Sequence, residues 1–292
     1  PHGTAECVLA VRAAETADAA RGLVQRYRTR DFSEPLDAQK QQWHDLTNTV
    51  QVTTPDPSFD IMMNGWLLYQ TISCRMWGRS GFYQASGAYG FRDQLQDSMT
   101  LAHVRPELAR QHILTAASRQ FVEGDVQHWW LPETGAGVRT RISDDTAWLA
   151  YCTAYYVDLT GDASILDETV PFLEGRALAD GEHDAFFVPA TASSGATLYD
   201  HCVLALSRNL PAGTHGLPLM GTGDWNDGMN RVGENGAGES VWLGWFFGTV
   251  LARYEAFALA RGDRHTTALW SNRRAALAKA LDQNGWDDAW YR

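Results

Sequence analysis

The sequence predicts a mainly α-helical fold, a helical toroid of the (α/α) barrel type that this chain supplies only in part. Three observations lead there. From residue 60 onward, stretches of helical periodicity follow one another with few strand-like runs. The connections between them alternate between short and long, and the long ones (76–92, 123–143, 174–194 and 209–238) concentrate Gly, Trp and charge. Loops of that kind at one end of paired helices are where a rigid scaffold carries function. Finally, 292 residues with 45% hydrophobic content are enough for one large domain or two small ones with a sizeable core.

The elements are read in order. Residues 6–12, "ECVLAVR", are β-rich and look like the last strand of an earlier unit. "AAETADAARGLVQRYR" has helical composition, and "EPLDAQKQQWHDLTN" is a second helix with Pro35 suited to its first turn. "VQVTTPDPSFD" is an extended linker, because each proline biases its predecessor away from the helical region. Helices are then expected over 60–75, 93–103, 106–122, 144–159, 162–173, 195–208, 239–260 and 264–282. In 106–122, Ala109, Ile113, Ala116, Ala117 and Phe121 form one apolar face. The 239–260 stretch is apolar nearly all round, as for a helix buried on most sides. Eight helices fall short of the twelve in a closed barrel of six pairs. The chain is therefore expected to be a piece of a longer polypeptide, beginning upstream of Pro1.

Composition excludes several functions. A net charge of −11 argues against nucleic acid, whose phosphates need a basic face, and against a polybasic membrane anchor. No apolar run reaches the roughly 18 residues of a spanning helix, and "PHGTAECVLAVRAAE" is not a signal peptide. Cys7, Cys74, Cys152 and Cys202 lie far apart with no CxxC pair. Their even number permits two disulfides, but their apolar or helical contexts favour buried thiols in a reduced, cytosolic protein. His103 and His112 read as satisfied structural residues, and no histidine spacing marks a metal site. The twelve tryptophans fit a large core and, equally, a cleft whose flat aromatic faces stack on sugar rings.

The segment "LMGTGDWNDGMNRVG" (219–233) is too polar for a core strand and too glycine-rich for a stable helix. By itself it reads as a turn, since Asn, Asp and Gly all favour turns. It does not stand alone. Within the longer run "HGLPLMGTGDWNDGMNRVGENGAGESVWLGWF" (215–246), and together with "WGRSGFYQASGAYGFRDQLQD" (77–97), "EGDVQHWWLPETGAGVRTRISDDTAWLAY" (123–151) and "PFLEGRAL" (171–178), it resembles the glycosyl phosphorylases of glycoside hydrolase family 94. More narrowly, the set is similar to the phosphorylase-like region of cyclic β-1,2-glucan synthases and to 1,2-β-oligoglucan phosphorylases.

The resemblance implies a longer protein with an N-terminal β-sandwich, linker helices, an (α/α)6 barrel and a C-terminal β-domain. Residues 1–12 would end the sandwich, 13–55 form the linker helices, and 56–292 the first two-thirds of the catalytic barrel. It implies an inverting phosphorolysis in which a β-linked glucan and inorganic phosphate give α-glucose 1-phosphate. Inverting hydrolysis takes two carboxyl groups about 6.5–9.5 Å apart, one of them to activate water. Phosphate is already anionic, so a single acid suffices. By match to the family's motif, Asp227 is that acid, Trp225 shapes the subsite of the cleaved glucose, and Asp224 and Asn226 brace the loop. To keep its proton near neutrality Asp227 should be buried beside Trp225 under closing aromatic loops.

Arg92 and Asp93 match the family's sugar-binding pair. Cellobiose-type members carry a further arginine seven residues before this Asp, where this chain has Ser86, which favours the β-1,2 branch. Asp144 and Asp145 open an aromatic helix and read equally as sugar ligands or as N-terminal caps. Trp129 and Trp130 are candidate sugar platforms or core residues, and Arg139 and Arg141 could meet substrate or phosphate. The family's phosphate-binding His and Thr-Gly fall beyond residue 292. The expected partners are a β-glucan or oligosaccharide, phosphate and the remainder of the polypeptide; a homodimer stays open, and neither nucleic acid, metal nor organic cofactor is expected. The location implied is cytoplasmic, at the inner membrane's cytosolic face if the chain belongs to a synthase. An inverting hydrolase on the same toroid and a non-catalytic glucan-binding fragment are the competing readings.

Overall fold

A computed structural model describes residues 3, 9, 11–28, 31–78, 87–233 and 235–292. The chain divides into two compact units, Pro1–Trp66 and Leu67–Arg292.

In the first unit four of the seven residues of the anticipated strand at 6–12 lie outside the described residues, and the described Leu9, Val11 and Arg12 are exposed and in no strand. Helices α1 (Ala17–Arg28) and α2 (Ser33–Thr47) lie where the two helices of this stretch were expected. Helix α3 (Pro57–Ile61) starts at Asp56, whose carboxylate accepts from the Ser58 and Phe59 amides. The proline-rich segment before it is pinned rather than loose. Asn64 accepts from the Val52 amide at 2.6 Å and donates to the Val52 carbonyl at 2.9 Å, and Asp60 accepts from the Thr54 amide at 2.9 Å.

In the second unit α4 (Leu67–Gln70) runs into a wider turn, Thr71–Trp77. It is followed by α5 (Phe91–Val104), α6 (Pro106–Ala117), α7 (Asp145–Thr160), α8 (Leu198–Ser207), α9 (Val241–Ala260) and α10 (Arg264–Ala280). The packed helix pairs include α5 with α6 and α7, α7 with α8 and α9, and α9 with α10. Mainly helical architecture is thus as expected. Helix α9 is buried through Phe247, Val250, Leu251 and Tyr254, and Tyr254 meets the buried Trp270 of α10 edge-on at 5.8 Å. Each such side chain contributes roughly 2–3 kcal/mol by leaving water. Among the described residues no helix is long and apolar enough to cross a membrane. Cys74, Cys152 and Cys202 are free thiols; Cys7 lies outside the described residues.

The strands were not anticipated. Strands β1 (Tyr89–Gly90), β2 (Gln127–Trp130), β3 (Gly137–Thr140) and β5 (Asp184–Phe187) form an antiparallel sheet in the order β1-β2-β3-β5, and β4 (Thr169–Glu174) pairs with β6 (Ala190–Thr197). The helix expected over 162–173 is a correction: a short turn, Ala163–Asp167, gives way to β4. Asp162 captures the Ser164 amide, Pro171 disfavours a helix interior, and within β4 itself only Val170 and Leu173 bury deeply. The helix expected from 195 starts at Leu198, because residues 195–197 finish β6.

Candidate functional site

Loop 219–233 is held in shape by its glycines. Gly221 has φ +64°, and a Cβ there would collide with the Arg141 carbonyl; a Cβ on Gly233 would collide with the Gly221 carbonyl. The bare backbones let the loop lie against the segment joining β3 to α7, where the Thr222 amide donates to the Arg141 carbonyl at 3.1 Å and the Ser143 amide to the Gly223 carbonyl at 3.0 Å.

Asp224 then turns inward. One carboxylate oxygen accepts from the Asn226 amide at 3.0 Å and the other from the Ser240 hydroxyl at 2.7 Å, while Ser240 caps α9 through the Leu243 amide at 2.9 Å. Asn226 accepts from the Gly228 amide at 3.0 Å and opens the turn Asp227–Met229. The two residues brace the loop, and the brace lifts Asp227 and Trp225 outward.

Arg92 is the hub. It is the second residue of α5, with its side chain 7% exposed. One terminal nitrogen donates to Asp144 Oδ1 at 2.7 Å and to the Asp224 carbonyl at 2.8 Å, and the other donates to Asp227 Oδ1. Burial disfavours its charge, but Asp144, Asp145 and Asp227 outweigh that and hold its pKa above the ordinary arginine range. Asp93, one residue on, folds back over the start of α5, where a Cβ on Gly90 would collide with its carboxylate. Arg92, Asp93 and Trp225 line one open cavity of about 250 Å³ together with Arg75, Gln96 and Asp97.

Four expectations need correction. Asp227 is not buried: its side chain is 57% exposed and Trp225 is 55% exposed, because the inward bonds of this loop belong to Asp224. Asp144 makes no side-chain cap, and its fully buried carboxylate presents no surface to a sugar. It binds Arg92 and accepts from Trp148 Nε1 at 3.0 Å. Burial and the neighbouring Asp145 raise its pKa, against the pull of Arg92 and Trp148. Trp130 is core, 1% exposed, packed edge-on against Tyr89 at 5.8 Å and under Arg119 at 5.5 Å; Trp129 packs on Phe186 at 5.6 Å. His112 is not satisfied: among the described residues its buried Nε2 has no partner, and burial lowers its pKa to about 4.

The two remaining arginines serve the scaffold. Arg139 pairs with Asp125 at 2.7 Å and Glu123 at 3.0 Å, and Arg141 holds the carbonyls of Leu178, Ala179 and Glu182. Ser86 lies outside the described residues.

Sequence reasoning passed over Arg75, Asp97, His128 and the buried role of Asp145. Arg75 pairs with Asp97 at 2.8 Å on the cavity wall. Asp97 was findable, being one helical turn beyond Asp93 on the same face. His128 meets Asp145 at 2.8 Å; burial opposes its charge, but Asp145 prevails and raises its pKa. No spacing signal joins residues on β2 and α7.

The site is thus a cleft on a mainly helical domain, lined by Arg75 and Arg92, the carboxylates of Asp93 and Asp97, Gln96 and the exposed indole of Trp225. The chain belongs to the glycosyl hydrolase 94 superfamily, whose catalytic-domain model matches residues 42–292. It is 52% identical over 280 residues to the cyclic β-(1,2)-glucan synthase NdvB of Rhizobium meliloti (strain 1021), covering 96% of this chain and 10% of that protein. It is 31% identical over 255 residues to the solabiose phosphorylase of Paenibacillus borealis, covering 84% and 29%. It is 29% identical over 215 residues to the 1,2-β-oligoglucan phosphorylase of Listeria innocua serovar 6a, covering 69% and 18%. The chain thus spans between 10% and 29% of the length of these relatives, and the family resemblance read from its motifs is borne out.

Proposed function

We propose that this chain is the first part of an (α/α)6 barrel that performs inverting phosphorolysis of a β-1,2-linked glucan. Asp227 acts as the general acid. As an oxygen of inorganic phosphate forms its bond to the anomeric carbon, the glycosidic C–O bond breaks on the opposite face. The Asp227 proton passes to the departing glucan oxygen, and the product is α-glucose 1-phosphate. Arg92 and Asp93 hold the hydroxyls of the cleaved glucose, and Trp225 offers its face to the ring. The reaction takes place in the cytoplasm and uses no organic cofactor.

The observation that carries this reading is the convergence of distant segments on Arg92. One guanidinium ties Asp227 to the wall of a cavity that also bears Asp93 and Trp225. An acid, a polar clamp and an aromatic face at one cleft suit a single sugar unit. The test is to incubate the full-length protein with β-1,2-glucan, with and without phosphate, and assay glucose 1-phosphate. Phosphate-dependent formation of the α-anomer is expected. Sugar release without phosphate would identify a hydrolase, and binding without turnover a non-catalytic domain.

The 52% identity to a cyclic β-(1,2)-glucan synthase favours a second, compatible placement. Here the phosphorylase region trims growing glucan and so sets chain length inside a synthase, at the cytosolic face of the membrane. Deleting this region from the full-length protein should then broaden the length distribution of its glucan products.

A further inference from the structure

Strand β2 carries one residue more than the stretch of β3 it pairs with. Gln127 faces Arg139 and Trp129 faces Val138, so His128 is the extra residue of a β-bulge. A bulge takes one residue out of the ladder and re-aims its side chain. On the other edge Trp129 pairs with Gly90, the last residue of β1, and α5 starts at Phe91. His128 therefore falls beside the first turn of α5, which holds Arg92, and β2 packs on that helix.

The two ends of its ring are unlike. Nδ1 lies 2.8 Å from Asp145 Oδ2. The Asp145 side chain is 1% exposed and that of His128 19%. A carboxylate only accepts, so Nδ1 carries a proton, and the buried side fixes the orientation of the ring. Among the described residues Nε2 has no protein partner, and it keeps contact with solvent. We propose that His128 is a further substrate-binding residue, whose Nε2–H holds a hydroxyl oxygen of the glucose unit that Arg92, Asp93 and Trp225 enclose. The proposal rests on the reading of that cleft as a glucose subsite.

The charged groups acting on His128 are Asp145 from α7, Arg92 from α5 and Asp227 from the loop. The neighbouring β3 presents Arg139, whose charge is spent on Asp125 and Glu123. Burial, and more weakly Arg92, oppose the imidazolium; Asp145 and then Asp227 favour it and together raise its pKa above the ordinary histidine value. In the charged form Nε2 is a donor, and its bond to a hydroxyl is charge-assisted. In the neutral form the proton stays on Nδ1 and Nε2 is left with a lone pair. Binding by this group is therefore strongest below its raised pKa and weakens as pH rises through it.

The test is calorimetric binding of a linear β-1,2-linked glucotetraose to the full-length protein, without phosphate so that phosphorolysis does not run. Asn and Gln divide the imidazole between them: the amide nitrogen of Asn stands where Nδ1 stands, and that of Gln where Nε2 stands. His128→Asn keeps the bond to Asp145, so the melting temperature should hold while glucan binding weakens roughly 10–100-fold, the worth of a hydrogen bond to a charged group. His128→Gln should bind closer to the parent although it gives up the buried bond. The parent's advantage over His128→Asn should shrink as pH rises past the ordinary histidine value. Asp144, whose pKa is also raised, is common to both proteins and cancels in that ratio.

A purely structural histidine gives the reverse order, with His128→Asn binding as the parent does and His128→Gln impaired through stability. That result, or a ratio that does not change with pH, overturns the proposal. If His128→Asn fails to fold, His128→Gln against His128→Leu decides in the same assay: Gln must bind the tetraose more tightly than Leu, and equal binding overturns the proposal. Absence of glucan binding by the parent overturns the glucose subsite and this proposal together, whereas a parent that binds and a His128→Asn that binds equally well overturn this proposal alone.

Discussion

At the residue scale, two aspartates three positions apart are made unlike by their hydrogen bonds. Asp224 spends both oxygens on the Asn226 amide and the Ser240 hydroxyl, whereas Asp227 meets Arg92 and solvent. Asp227→Asn should leave glucan binding nearly intact and cut phosphorolysis by roughly 10²–10⁴-fold, the usual worth of general acid catalysis. A nitrophenyl glucoside, if accepted, should suffer less, since its leaving group needs less protonation. Asp224→Asn should instead weaken the brace by about 1–2 kcal/mol, the cost of disturbing a buried hydrogen bond. Its rate loss should be the same for good and poor leaving groups. Kinetics with paired substrates distinguishes the two, and leaving-group dependence in Asp224→Asn alone would mean that the acid has been misassigned.

At the element scale, loop 219–233 depends on two close backbone approaches. Gly221→Ala combines φ +64° with a collision against the Arg141 carbonyl, so the loop must leave the β3–α7 segment. We expect loss of activity and faster proteolysis within the loop. Gly181→Ala, also left-handed at φ +77° but with open space around it, should cost only about 1 kcal/mol and spare the loop. Equal sensitivity of the two variants would show that conformation rather than packing holds the loop. The misread 162–173 stretch belongs to the same scale. Its apolar residues fit either period over so few positions, and pairing with β6 decided for a strand.

At the scale of the molecule, buried titratable groups tie stability to pH. His112 is neutral when folded, with its pKa lowered to about 4 by burial, against 6.5 in the open chain. Between those values the unfolded chain binds more protons, so this residue's contribution is present above pH 6.5 and is lost as pH falls toward 4. The shift corresponds to about 3 kcal/mol. Hydrogen exchange of the α6 amides should show opening that grows easier with acid across that window, and His112→Gln should flatten the dependence. A profile with the same slope in both proteins would place the acid sensitivity elsewhere. Asp144 and His128 have raised pKa values and act in the opposite sense, losing their contribution as pH rises, which makes the difference between parent and variant the quantity to read.

The sequence by itself determined the helical class and the family, and it pointed to the segments that form the candidate site, because these are written in local periodicity and in short motifs whose order is kept along the chain. Helices α5, α7, α9 and α10 lie where their apolar patterns place them, and the Arg92 and Asp227 segments were both legible. Only the tertiary structure decided which residues of those motifs face the cleft. Trp130 and Trp225 sit in equally polar, glycine-rich surroundings, yet one is core and the other open, since strand pairing turned the first inward and the Asp224 brace turned the second out. Asp144 read as a ligand or a cap became the buried anchor of Arg92 because α5 and α7 pack together across 52 residues of chain. Contacts of that separation leave no periodic trace in one sequence. They arise when packing brings a buried charge to the partner that can satisfy it.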